Sequence, residues 1–131
     1  MGFRLVGHLK WSENGLLADI DNPAAEWICS VYAIVFQDRM LRIGASKKPL
    51  RSRIRSYRTY IMKSIKCEGV GTPTPLWEAL RWKELLLIEP AEIWARPGSL
   101  VRTPLGQLNA YLTEERALIQ RYKPELNRSS R

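Results

Sequence analysis

Cysteine and histidine are nearly missing from the chain: Cys29, Cys67 and His8 are the only such residues among 131. A structural zinc site takes four ligands of these types, so zinc fingers are excluded, as are nucleases that hold their metal on histidine clusters. Two cysteines 38 positions apart offer no disulfide framework and fit a reducing cytosol. Long apolar runs are missing as well. Stretches such as Ala33 to Phe36 and Leu85 to Ile88 fall far short of the roughly 18 residues of a membrane span. Met1-Gly2 is followed at position 6 by Val6, where a myristoylation signal carries Ser or Thr, and no signal-peptide core follows. The expectation is a soluble, cytoplasmic protein that uses no membrane. Internal repeats and low-complexity tracts are also absent, which excludes a solenoid.

Acidic residues are the scarce charge. Thirteen Asp and Glu stand against 21 Lys and Arg, a net charge of +8, and such an excess favours polyanionic partners, nucleic acid first. The length suits one domain, taken as residues 1–131 with a motif core at 30–127 and an N-terminal extension at 1–29. A hydrophobic content of 45% supplies enough apolar side chains for a core.

Phe3 to Trp11 alternates loosely and reads as a short strand, closed by a turn at Ser12-Glu13-Asn14-Gly15. Asp19 to Glu26 reads as a loop or a one-turn helix near Pro23. The strongest pattern is Val31 to Phe36, a polar turn at Gln37-Asp38-Arg39, and Met40 to Gly44, which predicts a hairpin with Tyr32, Ile34 and Phe36 on one face. From Pro49 the period becomes helical, with Leu50, Ile54, Tyr57 and Ile61 on one stripe. That helix would point its N-terminal amides toward the hairpin's end, a geometry suited to phosphate. Lys66 to Pro75 is a loop by composition, and Leu76 to Leu87 a helix. Glu92 to Arg96 reads as a third strand, and Pro104 as the start of a last helix with a stripe through Leu108, Leu112, Ile119 and Tyr122, ending at Pro124. The fold class expected is mixed α/β (α+β): a small, mostly antiparallel three-stranded sheet flanked by helices.

Two residues break their own patterns. Glu115 interrupts the apolar stripe of the last helix, where a charge needs a cation or a metal; Glu114 is the alternative if the helix phase differs. Arg53 borders the stripe of the first helix, where a planar guanidinium suits bidentate phosphate binding and could pair Glu115. Lys47, Lys48, Arg51, Arg55 and Arg58 are expected to line one side of that helix as a phosphate-binding surface. The loop from Gly69 to Thr74 and the helix bearing Trp77 and Trp82 are candidates for substrate-specific contacts, or, for the tryptophans, for the core.

Ser30-Val31-Tyr32, nine residues, Arg42-Ile43-Gly44, a helix with Arg53, and Glu115 in a helix that leads to Lys123-Pro124-Glu125-Leu126-Asn127 together resemble the GIY-YIG nucleases. The resemblance covers residues 30 to 127. It implies a DNA endonuclease in which Tyr32 accepts a proton from the attacking water, Arg53 grips the scissile phosphate, Glu115 ligates Mg²⁺ (or Mn²⁺), and Asn127 is the asparagine that closes the motif, counted here among the nucleic-acid contacts. A hard cation can work with one carboxylate, waters and substrate phosphate, so the lack of a His/Cys cluster is no obstacle. The chain departs from the motif at Ser30, at Ala45 and at Arg42, which replaces the second motif tyrosine. A cation at Arg42 would favour the phenolate form of Tyr32, which makes Arg42 a fourth candidate catalytic residue. A homodimer would provide double-strand cleavage. The rival readings are a catalytically inactive nucleic-acid-binding module of the same fold, and a protein-interaction domain whose charge is incidental.

Overall fold

The computed structural model describes residues 2–127; Met1 and residues 128–131 of the expected domain lie outside the described residues. The elements run β1 (Arg4–Ser12), β2 (Gly15–Ile20), a 3-10 turn (Ala24–Glu26), β3 (Ser30–Phe36), β4 (Arg39–Ser46), α1 (Leu50–Lys66), α2 (Leu76–Leu86), β5 (Ala91–Pro97), β6 (Leu100–Thr103), β7 (Gly106–Asn109) and α3 (Tyr111–Tyr122). Strands β1 to β5 form one sheet in the order β2-β1-β5-β3-β4, and β6 pairs only with β7. Every pairing in the sheet is antiparallel.

The sheet therefore has five strands, not the three expected. The difference lies in the N-terminal segment, where β1 and β2 pair from Gly7 with Ile20 to Ser12 with Gly15. Leu16 is buried on β2 while Ala18 and Asp19 are exposed, so this outer strand shows too little alternation to announce itself. The strand expected at Glu92 to Arg96 is central, held between β1 and β3.

Period-2 alternation divides β3 as its sequence implies. Tyr32, Ile34 and Phe36 enter the main core with Leu50, Ile54, Tyr57 and Ile61 of α1 and Trp82 of α2. Val31 and Ala33 face the other way with Ile43, against Tyr111, Leu118 and Ile119 of α3. The molecule is thus layered, with α1 and α2 on one side of the sheet and α3 on the other.

Pro104 does not open a helix. It sits in the β6–β7 turn, where Thr103 Oγ1 donates to the Gly106 carbonyl at 2.8 Å and accepts from Leu105 N–H at 3.1 Å, and Gly106 takes a left-handed φ of 114°. Proline's fixed φ serves a turn as well as a helix start, and the glycine two residues on decides for the turn. The helix begins instead at Tyr111, whose N–H donates to Asn109 Oδ1 at 3.0 Å. The stripe drawn from Leu108 is accordingly out of phase, and Leu108, Leu112 and Tyr122 are exposed. The helix ends as expected: Lys123 adopts the left-handed conformation (φ 46°) ahead of Pro124. No helix among the described residues is long and apolar enough to cross a membrane.

Candidate active site and nucleic-acid interface

Tyr32 stands opposite Gly44 in the β3–β4 ladder. A side chain at Gly44 would run into the ring and hydroxyl of Tyr32, so glycine at this position is what lets the phenol lie across β4. Arg42, two residues before Gly44, shares its face. An extra residue in β4, Leu41, opposes the Ile34/Val35 step and puts the leucine into the main core beside it.

The Tyr32 hydroxyl lies 2.7 Å from that of Tyr57 and accepts from Arg53 Nε at 3.2 Å. The two rings meet edge to face at 6.1 Å, and Tyr57 meets Trp82 in the same way at 5.9 Å. Burial, followed by the nearby Tyr32, holds the Tyr57 phenol well above its ordinary value against the opposing pull of Arg42 and Arg53. The protonated form of Tyr57 is thereby favoured, and either hydroxyl can be the donor of the pair.

Arg42 donates from Nη1 to the Leu126 carbonyl at 3.0 Å, lies 3.7 Å from the Glu78 carboxylate and sits 5.9 Å from the Tyr57 ring centroid. Burial works against its charge, but Tyr57, Tyr32 and Glu78 outweigh that and hold the guanidinium above its ordinary value despite Arg53. Arg53 is also raised, chiefly by Tyr32, with Tyr57 and Glu115 adding to the effect against burial.

The structure separates the two neighbouring carboxylates of α3. Glu114 is spent on the fold, pairing with Arg96 and accepting from Ser99 N–H at 2.7 Å. Glu115 faces the site, where Arg53, Arg42 and the Ala45 backbone N–H all favour its ionised form. Burial is the largest influence on it and pushes its pKa upward despite those cations. Among the described residues, no three His, Cys, Asp or Glu side chains gather as a metal cluster. What Glu115 offers is a single hard oxygen donor set, which fits Mg²⁺ or Mn²⁺ completed by water and phosphate oxygens and does not fit zinc.

The expected cations fall into two sets. Lys47, Lys48 and Arg53 line a groove of about 330 Å³ with Ala45, Ser52 and Tyr60. Arg51, Arg55 and Arg58 line a second groove of about 490 Å³ across the helix, against β2 and the 3-10 turn. They do not form one surface, because positions 51, 55 and 58 lie on the flank of α1 opposite that of position 53. Nor is the N-terminus of α1 an open anion site. The Leu50 N–H donates to the Trp27 carbonyl at 2.9 Å, and those of Ser52 and Arg53 donate to the Pro49 carbonyl.

Asn127 is placed differently from a groove residue. It is 5% exposed, and its amide holds the edge of β4, with Oδ1 accepting from Ile43 N–H and Nδ2 donating to the Ile43 carbonyl, both at 2.8 Å. Trp82 is core and Trp77 is exposed. Sequence reasoning missed two site residues. In sequence Tyr57 reads only as core, and Glu78, 2% exposed, carries a signal like that of Glu115, since it lies four residues before Trp82 on the buried side of α2.

No family model and no curated protein matches the chain. Among solved structures it is similar to a glutamate-to-alanine mutant of bacteriophage T4 EndoII, with a TM-score of 0.65 and 24% identity over 95% of this chain and 91% of that one. It is also similar to the restriction endonuclease HPY188I in complex with product DNA, with a TM-score of 0.52 and 14% identity over 92% of this chain and 76% of that one. The chain shares their fold.

Proposed function

We propose that the protein is a divalent-metal-dependent DNA endonuclease of the GIY-YIG type, acting as a single domain. The observation that carries this reading is Arg53, which lines the basic groove, donates to the Tyr32 hydroxyl and is electrostatically linked to Glu115. A phosphate in the groove would draw the Arg53 guanidinium, which can bind it bidentately. Arg53 would thereby uncover the Tyr32 oxygen, which would release its own proton to solvent, and Tyr57 would donate to the resulting phenolate as it takes a proton from the attacking water. Arg42 lends positive charge to both phenols from behind. Glu115 is the group that would hold Mg²⁺ or Mn²⁺, whose chemistry is to offset negative charge developing on the phosphate and leaving oxygen. Cutting both strands would take two copies, each on one strand.

One observation favours the rival reading, an inactive DNA-binding module. Tyr32 is fully buried, with Arg53 and Tyr57 on its hydroxyl. The deciding experiment incubates wild type and Glu115→Gln with supercoiled plasmid in Mg²⁺, Mn²⁺ or EDTA. Metal-dependent nicking that is lost in the variant is expected. Tight, salt-sensitive DNA binding with no nicking in any metal would replace the nuclease by the binding module.

A further inference from the structure

The two basic grooves flank one helix, and what lies between them is low. On α1 the outward crest between the Arg53 flank and the Arg55 flank carries Ser52, Ser56 and Thr59, as the 3.6-residue turn requires. The hydroxyls of Ser56 and Thr59 fold back onto the carbonyls of Arg53 and Arg55, so the crest has no long side chain along these two turns. Arg55 and Arg58 have no ion-pair partner among the described residues, whereas Arg51 is held by Glu26 at 2.7 Å. With side chains a helix is about 10–12 Å across, which matches a B-DNA major groove of about 12 Å and cannot enter a minor groove of about 6 Å. A helix seated there has a phosphate backbone on each side.

We propose that α1 enters the major groove of duplex DNA, with one strand's backbone in the groove of Lys47, Lys48 and Arg53 and the complementary strand's backbone in the groove of Arg55 and Arg58. This rests on the nuclease reading and deepens it. The strand over Arg53 is the one presented to Tyr32 and Glu115, and the other strand is recognised without being cut by the same copy. The protein would therefore prefer a duplex to the same strand alone.

Binding in EDTA isolates this proposal from cleavage. Fluorescence anisotropy would compare wild type and Arg55→Ala/Arg58→Ala on a labelled duplex and on its labelled strand alone, over a salt series. Removing two phosphate contacts should lower the magnitude of the duplex salt slope by about 2 and weaken duplex binding by about tenfold more than single-strand binding near 0.1 M salt. Equal weakening on both substrates, or no change on the duplex, would overturn the proposal. Wild type tested against dimethyl-sulfate-treated duplex gives a second measurement that needs no variant. Interference from guanine N7 methylation, in the major groove, is expected, and interference confined to adenine N3, in the minor groove, would overturn it. A protein that cuts DNA without these signatures would retain the nuclease reading and lose the docking, and one that shows them without cutting would do the reverse.

Discussion

Asn127→Ala separates a structural tie from a DNA contact. The C-terminal segment is fastened to β4 at three consecutive residues: Leu126 N–H donates to the Leu41 carbonyl at 2.8 Å, Arg42 donates to the Leu126 carbonyl at 3.0 Å, and the Asn127 amide takes both polar groups of Ile43 at 2.8 Å. Strand β4 is an outer strand of the sheet, so without Asn127 the outward N–H and C=O of Ile43 lose a buried partner. An unsatisfied buried group costs about 1–3 kcal/mol, and two of them put the loss at roughly 2–6 kcal/mol. For a domain of this size such a loss lowers Tm on the order of 10 °C. Asn127→Asp should be no better, since it keeps the acceptor for Ile43 N–H but sets a buried carboxylate against the Ile43 carbonyl. Urea denaturation and thermal melts check the stability, and DNA affinity is then measured well below Tm. A variant as stable as wild type but weakened on DNA would refute the tie and return Asn127 to the nucleic-acid interface.

Gly44→Ala should destabilise by about 1–3 kcal/mol through overpacking against Tyr32, and should lower nicking further than folding accounts for; full activity at wild-type stability would show that the phenol can move aside. Glu115 must be ionised to hold a cation and has a raised pKa, so nicking should fall on the acid side at a pH above the ordinary carboxylate value. Because the protonated form is the one the fold favours, this group's contribution to stability is present at acid pH and lost as pH rises through the raised value. Glu115→Gln should then be inactive yet more stable than wild type at neutral pH, as read by urea melts at several pH values. Arg42→Ala should abolish nicking and cost on the order of 3 kcal/mol, because the buried Glu78 carboxylate loses its cation; adding Glu78→Gln should recover part of the stability, and additive losses would mean that the two side chains are not coupled.

The elements that announce themselves in the sequence are those with one dominant pattern. The β3–β4 hairpin has β-branched and aromatic runs on both sides of a polar turn, and α1 buries the stripe Leu50, Ile54, Tyr57 and Ile61 that its period predicts. β2 and the β6–β7 hairpin stayed hidden because β2 alternates weakly and β6–β7 is largely exposed, leaving no apolar face to set a period. The stripe that marks Glu115 is out of phase, since Leu112 and Tyr122 are exposed, but Ile119 does pack, so the stripe still lies close enough to the buried side to mark an inward carboxylate. Tyr57 shows a different limit. Periodicity can assign a tyrosine to the core, but whether its hydroxyl meets another hydroxyl there depends on β3, 25 residues away in the chain.

The site's charges bear on how an arginine at position 42 would be compatible with the phenolic base proposed at Tyr32. Two guanidiniums, Arg42 and Arg53, and two carboxylates, Glu78 and Glu115, surround the hydrogen-bonded phenols of Tyr32 and Tyr57, so the cluster is balanced when nothing is bound. The two arginines are not equivalent. Arg42 is committed to Glu78 and to the Leu126 carbonyl, whereas Arg53 is exposed in the groove and is free to trade Tyr32 for a phosphate. That trade weakens the influence that lowers the Glu115 pKa most, and a divalent cation beside Glu115 would restore it. On the proposed mechanism, phosphate at Arg53 and a cation at Glu115 would be linked: each would make the other's site electrostatically more favourable to occupy, and by reciprocity the gain would be the same in either order of binding. In the proposed mechanism Arg42 would stay behind to keep the phenols in a positive field once Arg53 had turned to the phosphate, which a second tyrosine at that position could not do.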